Sequence, residues 1–308
     1  MSDTSRAVET DGSVDRLGHA AIAVAVVSIA TAAILVREAD TAGVTVAFWR
    51  NLIGGLVLVP FGVRSWRAAD DATRSSWAGE WKVLVAAGVA LGAHFAFWLE
   101  GLLRTTVAAS VTLVTLSPIF VALGTVLVLR ERLSAMTWPG VAIAMVGAVI
   151  VGWVGVEATD VATDPTTGNL LSFLGAVMIA VYILIGRRLR SAGLPTVVYA
   201  SFVYLVAAVV VLPVVVIREG TPFTLDAQGW VLIAVMVIGP QLLGHTMINF
   251  ALDRIAPTTV SVATLMEPIG SALLAWWLLS EAPTSGVWIG APIAIVGLVI
   301  VVLAGRDD

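Results

Sequence analysis

A block of 36 residues occurs twice in this chain, at a constant offset of 150 residues. Residues 118–153 and 268–303 align without gaps, and 15 of the 36 positions are identical. The matches include residue types that seldom coincide by chance in an apolar chain: Pro118/Pro268, Glu131/Glu281, Trp138/Trp288, Gly140/Gly290 and Gly147/Gly297. The chain is therefore an internal duplication, and both copies of the block are expected to fold alike.

The duplicated blocks lie in apolar segments of membrane-spanning length. Only 12% of the residues are charged and 59% are hydrophobic, whereas soluble domains carry about 25% charged residues. A helix needs about 20 mostly apolar residues to cross the hydrocarbon core. Ten segments qualify, at residues 17–36, 44–63, 82–101, 107–129, 136–155, 169–186, 196–217, 229–252, 258–279 and 286–304. The polar/apolar alternation of a membrane β-barrel is absent from the sequence.

The distribution of cationic residues predicts the orientation of these segments. With the N-terminus in the cytoplasm, the inner segments contain 13 Arg and Lys residues and the outer loops contain three, at Arg37, Arg104 and Arg218. Cytoplasmic loops are enriched in Arg and Lys. The sequence therefore predicts a multi-pass protein of the plasma or inner membrane, with both termini cytoplasmic.

The ten segments divide into two halves of five. We expect a disordered cytoplasmic tail at 1–16, a first repeat at 17–155, an extracytoplasmic linker at 156–168 and a second repeat at 169–304. Because five is odd, the second repeat enters the membrane from the opposite side. The predicted fold is an all-α integral membrane protein of ten transmembrane helices, built from two inverted five-helix repeats.

The repeated blocks resemble the EamA repeat of the drug/metabolite transporter superfamily. The likeness rests on a Pro in the fourth and ninth segments, a Glu just after each segment and a Gly-rich helix that follows, as in "TLSPIFVALGTVLVLRERL" and "TLMEPIGSALLAWWLLSEA". Phe48-Trp49-Arg50 is similar to the family's arginine-bearing second helix. The resemblance implies a ten-helix carrier that transports small metabolites, often by efflux, through a central cavity.

Two charged residues lie within the predicted spans. Such residues face protein or a water-filled cavity and are functional by default. Glu267 precedes Pro268 in the ninth segment, where the proline removes a backbone hydrogen bond and makes room beside the carboxylate. It could bind a substrate ammonium group or a proton, or stabilise helix packing. Arg50 could bind a substrate carboxylate, extend to the interface, or pair with Glu100, the nearest acid by depth.

Uncharged polar residues mark two further segments. Gln241, His245 and Asn249 recur at every fourth position of the eighth segment, which predicts one polar stripe along a helix. His94 occupies nearly the position of His245 in the first repeat and shares a face with Trp98. The duplication predicts that one histidine faces the outer half of the cavity and the other the inner half.

The sequence contains few residues that could form a catalytic, metal or cofactor site. There are no cysteines and only three histidines, so we expect no metal site and no cofactor, and a phosphate-binding Walker loop is absent. The net charge of -4 gives no sign of nucleic-acid binding. We expect a small-molecule substrate, the lipid bilayer and a homo-oligomer contact through the fifth and tenth segments as partners. A membrane-embedded enzyme and a non-transporting scaffold or sensor are the alternatives.

Overall fold

The computed structural model describes residues 3–32, 35–36, 39, 41–102, 104, 110, 113–114, 116–154, 164–279, 283 and 285–304. Within these residues the chain is helical and contains no β-strand. The helices of the first half are α1 (Asp3–Ala30), α2 (Gly43–Ala68), α3 (Asp71–Gly79), α4 (Trp81–Leu102), α5 (Ser117–Gly124) and α6 (Thr137–Trp153). Those of the second half are α7 (Pro165–Ser191), α8 (Thr196–Glu219), α9 (Ala227–Met236), α10 (Thr246–Ala251), α11 (Pro257–Ala263), α12 (Met266–Leu279) and α13 (Ser285–Ala304). Two π-helical segments extend α5 over Thr125–Leu129 and join α9 to α10 over Val237–His245.

Every predicted apolar segment contains helix in the structure. Six helical stretches are long and apolar enough to cross a membrane by themselves: α2, α4, α7, α8, the continuous stretch Ala227–Ala251, and α13. Shorter apolar helices occupy Arg16–Ala30, Ser117–Leu129 and Thr137–Ile150, and the ninth segment is divided between α11 and α12. The chain is thus a multi-pass membrane protein, and the count of ten spans stays a prediction. Most of the linker at 156–168 lies outside the described residues.

The first and third helices differ from the predicted boundaries. Helix α1 begins at Asp3, so residues 3–16 are helical where the sequence predicts a disordered tail. Adding turns to an existing apolar helix costs far less than starting one, and the polar residues therefore continue it. The short helix α3 was not predicted, although its signal is present: Asp70 caps it by accepting a hydrogen bond from the Thr73 backbone N–H at 2.8 Å.

Two of the predicted spans are interrupted near their centres. The segment from Val237 to His245 forms wider π-helical turns and contains Pro240, which has no N–H to donate to the α-helical ladder. The ninth segment breaks between α11 and α12, where the Leu265 N–H donates to the Val262 carbonyl at 3.0 Å in a tighter turn. Both interruptions place irregular backbone inside the bundle, where irregular backbone in membrane proteins borders a cavity.

Helices pack in pairs that are equivalent in the two halves. Helix α2 packs on α8, and α6 packs on α13. The contact between α4 and α7 corresponds to the contact between the π-helical segment Val237–His245 and α1. In the same way, the contact between α5 and α7 corresponds to the contact between α12 and α1. The main core lies where α2, α4, α7 and α8 meet. Exchanging the halves reproduces the arrangement, as expected for a duplicated fold.

Helices α6 and α13 pack antiparallel, with close contacts at several levels along their length. Gly147 lies against Ala294, and the equivalent Gly297 lies against Ala144. A Cβ added to Gly147 would lie 2.7 Å from the Ala294 Cα, and one added to Gly297 would lie 2.6 Å from the Ala144 Cα. Small residues allow such backbone contact between membrane helices. The repeated glycines are therefore packing residues.

The variant Gly147→Leu is expected to destabilise the protein by about 3 kcal/mol or more, because the obstructing atoms are backbone and cannot turn aside. Thermal unfolding of the purified protein in detergent measures this as a lower midpoint. Gly79→Leu is the control, since nothing lies within 4 Å of a Cβ added there. Equal midpoints for the two variants would contradict the close packing.

Candidate functional site

A cavity lined by residues of both repeats lies at the centre of the bundle. Five of the seven residues singled out in the sequence line it: Arg50, His94, Trp98, His245 and Glu267. Three further wall residues carry hydroxyl groups, namely Ser117, Tyr182 and Thr264. Most of the remaining wall is aliphatic. The wall therefore offers both apolar and charged contacts to a small molecule.

Arg50 is almost completely buried, at 2% exposure. Its Nε donates to the Gln241 side-chain oxygen at 2.8 Å, and its guanidinium carbon lies 4.6 Å from the centre of the Phe95 ring. The second terminal nitrogen, Nη2, is buried and has no hydrogen-bond partner. The residue does not extend to the interface, because it lies on the cavity wall.

Of the three alternatives for Arg50, pairing with Glu100 is wrong. Glu100 instead accepts a hydrogen bond from Arg104 at 2.6 Å and forms a second ion pair with Arg218, at the end of α8. Glu100 is the nearest acidic residue to Arg50 when only depth in the membrane is considered. Packing of α4 against α8 decides the partner, because it brings Arg218 to the end of α4.

Gln241 and Asn249 lie behind the cavity wall and hold the wall residues in place. Besides accepting from Arg50, Gln241 donates to the Asn51 side-chain oxygen at 3.2 Å. Asn249 donates to the Tyr182 hydroxyl at 2.5 Å. The wider turns of the π-helical segment change the relative directions of the side chains, so Gln241 and Asn249 do not join His245 in lining the cavity.

Both histidines reach the same cavity. The Nδ1 of His94 lies 2.9 Å from the Gly175 carbonyl, which can only accept, so this nitrogen carries the proton. The His94 ring stacks on Trp98, with centroids 5.8 Å apart. His245 meets the edge of Phe95, and its Nδ1 is buried without a partner. Equivalent residues of the two repeats thus face a common space.

Glu267 and Ser117 form a second equivalent pair on the wall. They stand at the same place in the two copies of the repeat, just before Pro268 and Pro118. Glu267 is half-buried beside the break between α11 and α12, and Ser117 is buried at the start of α5. The carboxylate is present in the second repeat only, and Glu267 is the only acid among the described wall residues.

Three tyrosines are buried in the bundle, one of them on the cavity wall, and none was singled out from the sequence. Tyr182 lines the wall, and the Tyr204 hydroxyl lies 3.0 Å from the Thr246 hydroxyl and 3.4 Å from the Gln241 carbonyl. A signal existed, because all three tyrosines of the chain lie in the sixth and seventh apolar segments. Buried tyrosine hydroxyls usually find a polar partner.

Charged residues close the bundle at the end predicted to be cytoplasmic. Arg190 donates to the Asp253 carboxylate at 2.9 Å and to the Asn249 carbonyl at 3.2 Å. Arg187 donates to Glu131 at 3.2 Å and to the Leu252 carbonyl at 2.9 Å. These contacts join the ends of α7 and α10 to the chain that follows α5. Asn249 links this cluster to Tyr182 and hence to the cavity.

Metal chemistry has no support from the described residues. Among them, no group of three or more His, Cys, Asp or Glu side chains is arranged to hold a metal ion. The site therefore consists of one guanidinium, one carboxylate, two imidazoles and several hydroxyl groups in an aliphatic chamber. Such a set can bind and orient a small polar molecule.

The sequence pattern of the EamA-like transporter family matches this chain twice, over residues 16–153 and 166–303. A solved structure titled "Crystal structure of protein" has 21% sequence identity to this chain and a TM-score of 0.76, over 96% of this chain and 98% of that chain. At this level of identity the likeness concerns the fold alone. A search of curated proteins gives no match.

Proposed function

This chain belongs to the EamA-like transporter family, and from that premise we propose that it is a secondary transporter of a small amphipathic metabolite. The solute, an amino acid or a drug-like compound, would occupy the central cavity. The direction we propose is efflux, across the plasma or inner membrane and with both termini in the cytoplasm. The family match, covering both repeats, is the observation that carries the proposal.

The geometry supports alternating access as the mechanism. Equivalent residues of the two repeats, Ser117 with Glu267 and His94 with His245, line one cavity. The antiparallel packing of α6 and α13 is consistent with repeats related by an axis in the membrane plane. If the repeats exchange their inward-like and outward-like shapes, the cavity opens first to one side and then to the other.

Proton coupling is a further part of the proposal. Glu267 is the one described carboxylate on the cavity wall, and two histidines lie on the same wall. A carboxylate that can exchange its proton for a solute would link proton movement to solute movement.

We also propose that any homo-oligomer forms through the outer faces of α6 and α13, which lie away from the cavity and expose Trp288 and Ile295.

Transport can be tested without knowledge of the natural solute. A metabolite-export screen in cells that overexpress the chain identifies compounds lost from the cytoplasm, and reconstituted protein then tests each one. We expect flux that saturates with solute concentration and counterflow when unlabelled solute is present on the opposite side. Ion passage at channel rates without saturation would contradict a carrier. A lipid-modifying activity or partner binding without solute flux would favour an enzyme or a scaffold.

A further inference from the structure

We infer that Arg50 forms a carboxylate subsite in the central cavity, held in position by Gln241 and Phe95. Two contacts determine the position of the guanidinium. Gln241 accepts from Nε at 2.8 Å, and the Phe95 ring lies beneath the planar group at 4.6 Å. Gln241 is itself fixed by its hydrogen bond to Asn51 at 3.2 Å. The Nε of the guanidinium thus has a hydrogen-bond partner, whereas Nη2 has none.

The unpartnered groups on this wall call for a hydrogen-bond acceptor. Arg50 Nη2 and Trp98 Nε1 are both buried without a partner, and both residues line the cavity. Neither an arginine nor a tryptophan nitrogen can accept a hydrogen bond. Leaving such donors unpaired is costly, and a buried guanidinium is stabilised further by an anion in direct contact with it. The ligand that completes the site must therefore present acceptor oxygens and a negative charge.

The charge on the wall selects a carboxylate over a phosphate. Arg50 is the only permanently cationic side chain among the described wall residues, and Glu267 adds a negative group to the same cavity. No ion pair between the two is present in the described part of the chain. A phosphate monoester brings a charge of about -1.5 to -2, which one guanidinium cannot balance. A carboxylate brings a single charge and matches the planar guanidinium geometry.

Gln241 is a positioning residue in this account, because it touches Arg50 and does not line the cavity. It occupies the π-helical segment between α9 and α10, whose backbone carbonyl at Gln241 also meets the Tyr204 hydroxyl at 3.4 Å. Substituting Gln241 should leave the guanidinium charge in place and free it to turn. The loss would therefore appear as weaker and less selective carboxylate binding.

The inference rests on the proposed function, since it takes the cavity as the place where a transported solute binds. Binding is measured with purified full-length protein in detergent, by the rise in thermal unfolding midpoint as each probe is titrated. The probes are 3-methylbutanoate, its uncharged amide 3-methylbutanamide, and inorganic phosphate. We expect the carboxylate to bind at least tenfold more tightly than the amide or the phosphate.

Variants assign that preference to the subsite. Arg50→Gln should weaken 3-methylbutanoate binding by at least tenfold, and Gln241→Leu by about tenfold, the effect of one hydrogen bond to a charged group. Gln241→Glu keeps the shape but supplies a competing carboxylate, so it should also weaken binding. Arg64→Gln and Gln228→Leu, exposed residues outside the cavity, are the matched controls and should bind as the unaltered protein does.

Three results would overturn the subsite: equal binding of the carboxylate and its amide, undiminished binding by Arg50→Gln, or no binding of any probe at millimolar concentration. Should Arg50→Gln fail to fold, Gln241→Glu decides the outcome, because its unliganded midpoint reports folding separately. Flux in proteoliposomes separates this inference from the proposed function. Transport that ignores carboxylates removes the subsite alone, whereas carboxylate binding without any flux removes the transporter and leaves the subsite.

Discussion

Replacing Asp253 with asparagine is expected to lower the free energy of unfolding by about 3 kcal/mol, the range for breaking a buried ion pair by removing one partner. The Arg190 side chain is 5% exposed and that of Asp253 is 23% exposed, and Asp253 accepts the Arg190 hydrogen bond at 2.9 Å. Asp253 also forms an ion pair with Arg254, so the substitution removes the partner of two guanidinium groups. Without the carboxylate, the Arg190 guanidinium remains buried beside a neutral side chain. Its other described contact, with the Asn249 carbonyl at 3.2 Å, does not neutralise its charge.

A neighbouring ion pair supplies the control for this prediction. Arg188 and Glu80 are 3.2 Å apart, but their side chains are 56% and 37% exposed. Exposed pairs contribute about 0 to 1 kcal/mol, so Glu80→Gln should change stability little. Unfolding in mixed micelles compares the two variants. A second substitution, Arg190→Met, should restore part of the stability of Asp253→Asn, since it removes the unpaired charge. Equal stabilities of Asp253→Asn and Glu80→Gln would contradict the buried pair.

The variant Glu267→Gln is expected to lower solute transport driven by a pH gradient by at least tenfold, while solute counterflow without a gradient continues. Glutamine keeps the size and polarity of the side chain but cannot take up or release a proton near neutral pH. Glu267 is the described carboxylate on the cavity wall, so its loss should separate solute movement from proton movement. Proteoliposomes with an imposed gradient of one to two pH units measure both rates.

Three further variants are compared with Glu267→Gln: one at an exposed glutamate and two at the histidines of the cavity. Glu219→Gln, at the exposed end of α8, should transport as the unaltered protein does. His94→Ala and His245→Ala test whether the imidazoles contribute to coupling. Proton coupling would be abandoned if the Glu267 and both histidine variants kept the pH dependence of the unaltered protein. In that case Glu267 remains a residue of the binding cavity without a coupling role.

The duplication in the sequence predicts much of the site because it pairs residues across the halves. Aligning the copies places Ser117 opposite Glu267 and His94 within one residue of His245, and the structure puts all four on the cavity wall. Helix periodicity, by contrast, predicts one stripe for Gln241, His245 and Asn249. Pro240 prevents that, since the missing N–H favours a π-helical segment with a different register. The proline was visible in the sequence, but its effect on register depends on the backbone that surrounds it.

The partner of Arg50 could not be predicted from depth in the membrane. Residues at similar depth on different helices meet only if those helices are neighbours and their faces agree. The charged end of α4 is shared with α8, where Arg218 contacts Glu100, and Arg50 faces inward to Gln241. Tertiary packing also decides the cluster around Arg190, because its contacts come from segments 59 to 63 residues away in the chain.

Alternating opening of one cavity between the two repeats can be tested by labelling a single cysteine. The natural chain has no cysteine, so Ser117→Cys introduces a unique thiol on the cavity wall with little change in size. A membrane-impermeant maleimide is applied to oriented vesicles from each side in turn. Alternating access predicts labelling from both sides, and a transported solute should protect the thiol from both. Labelling from one side only, unaffected by solute, would contradict it.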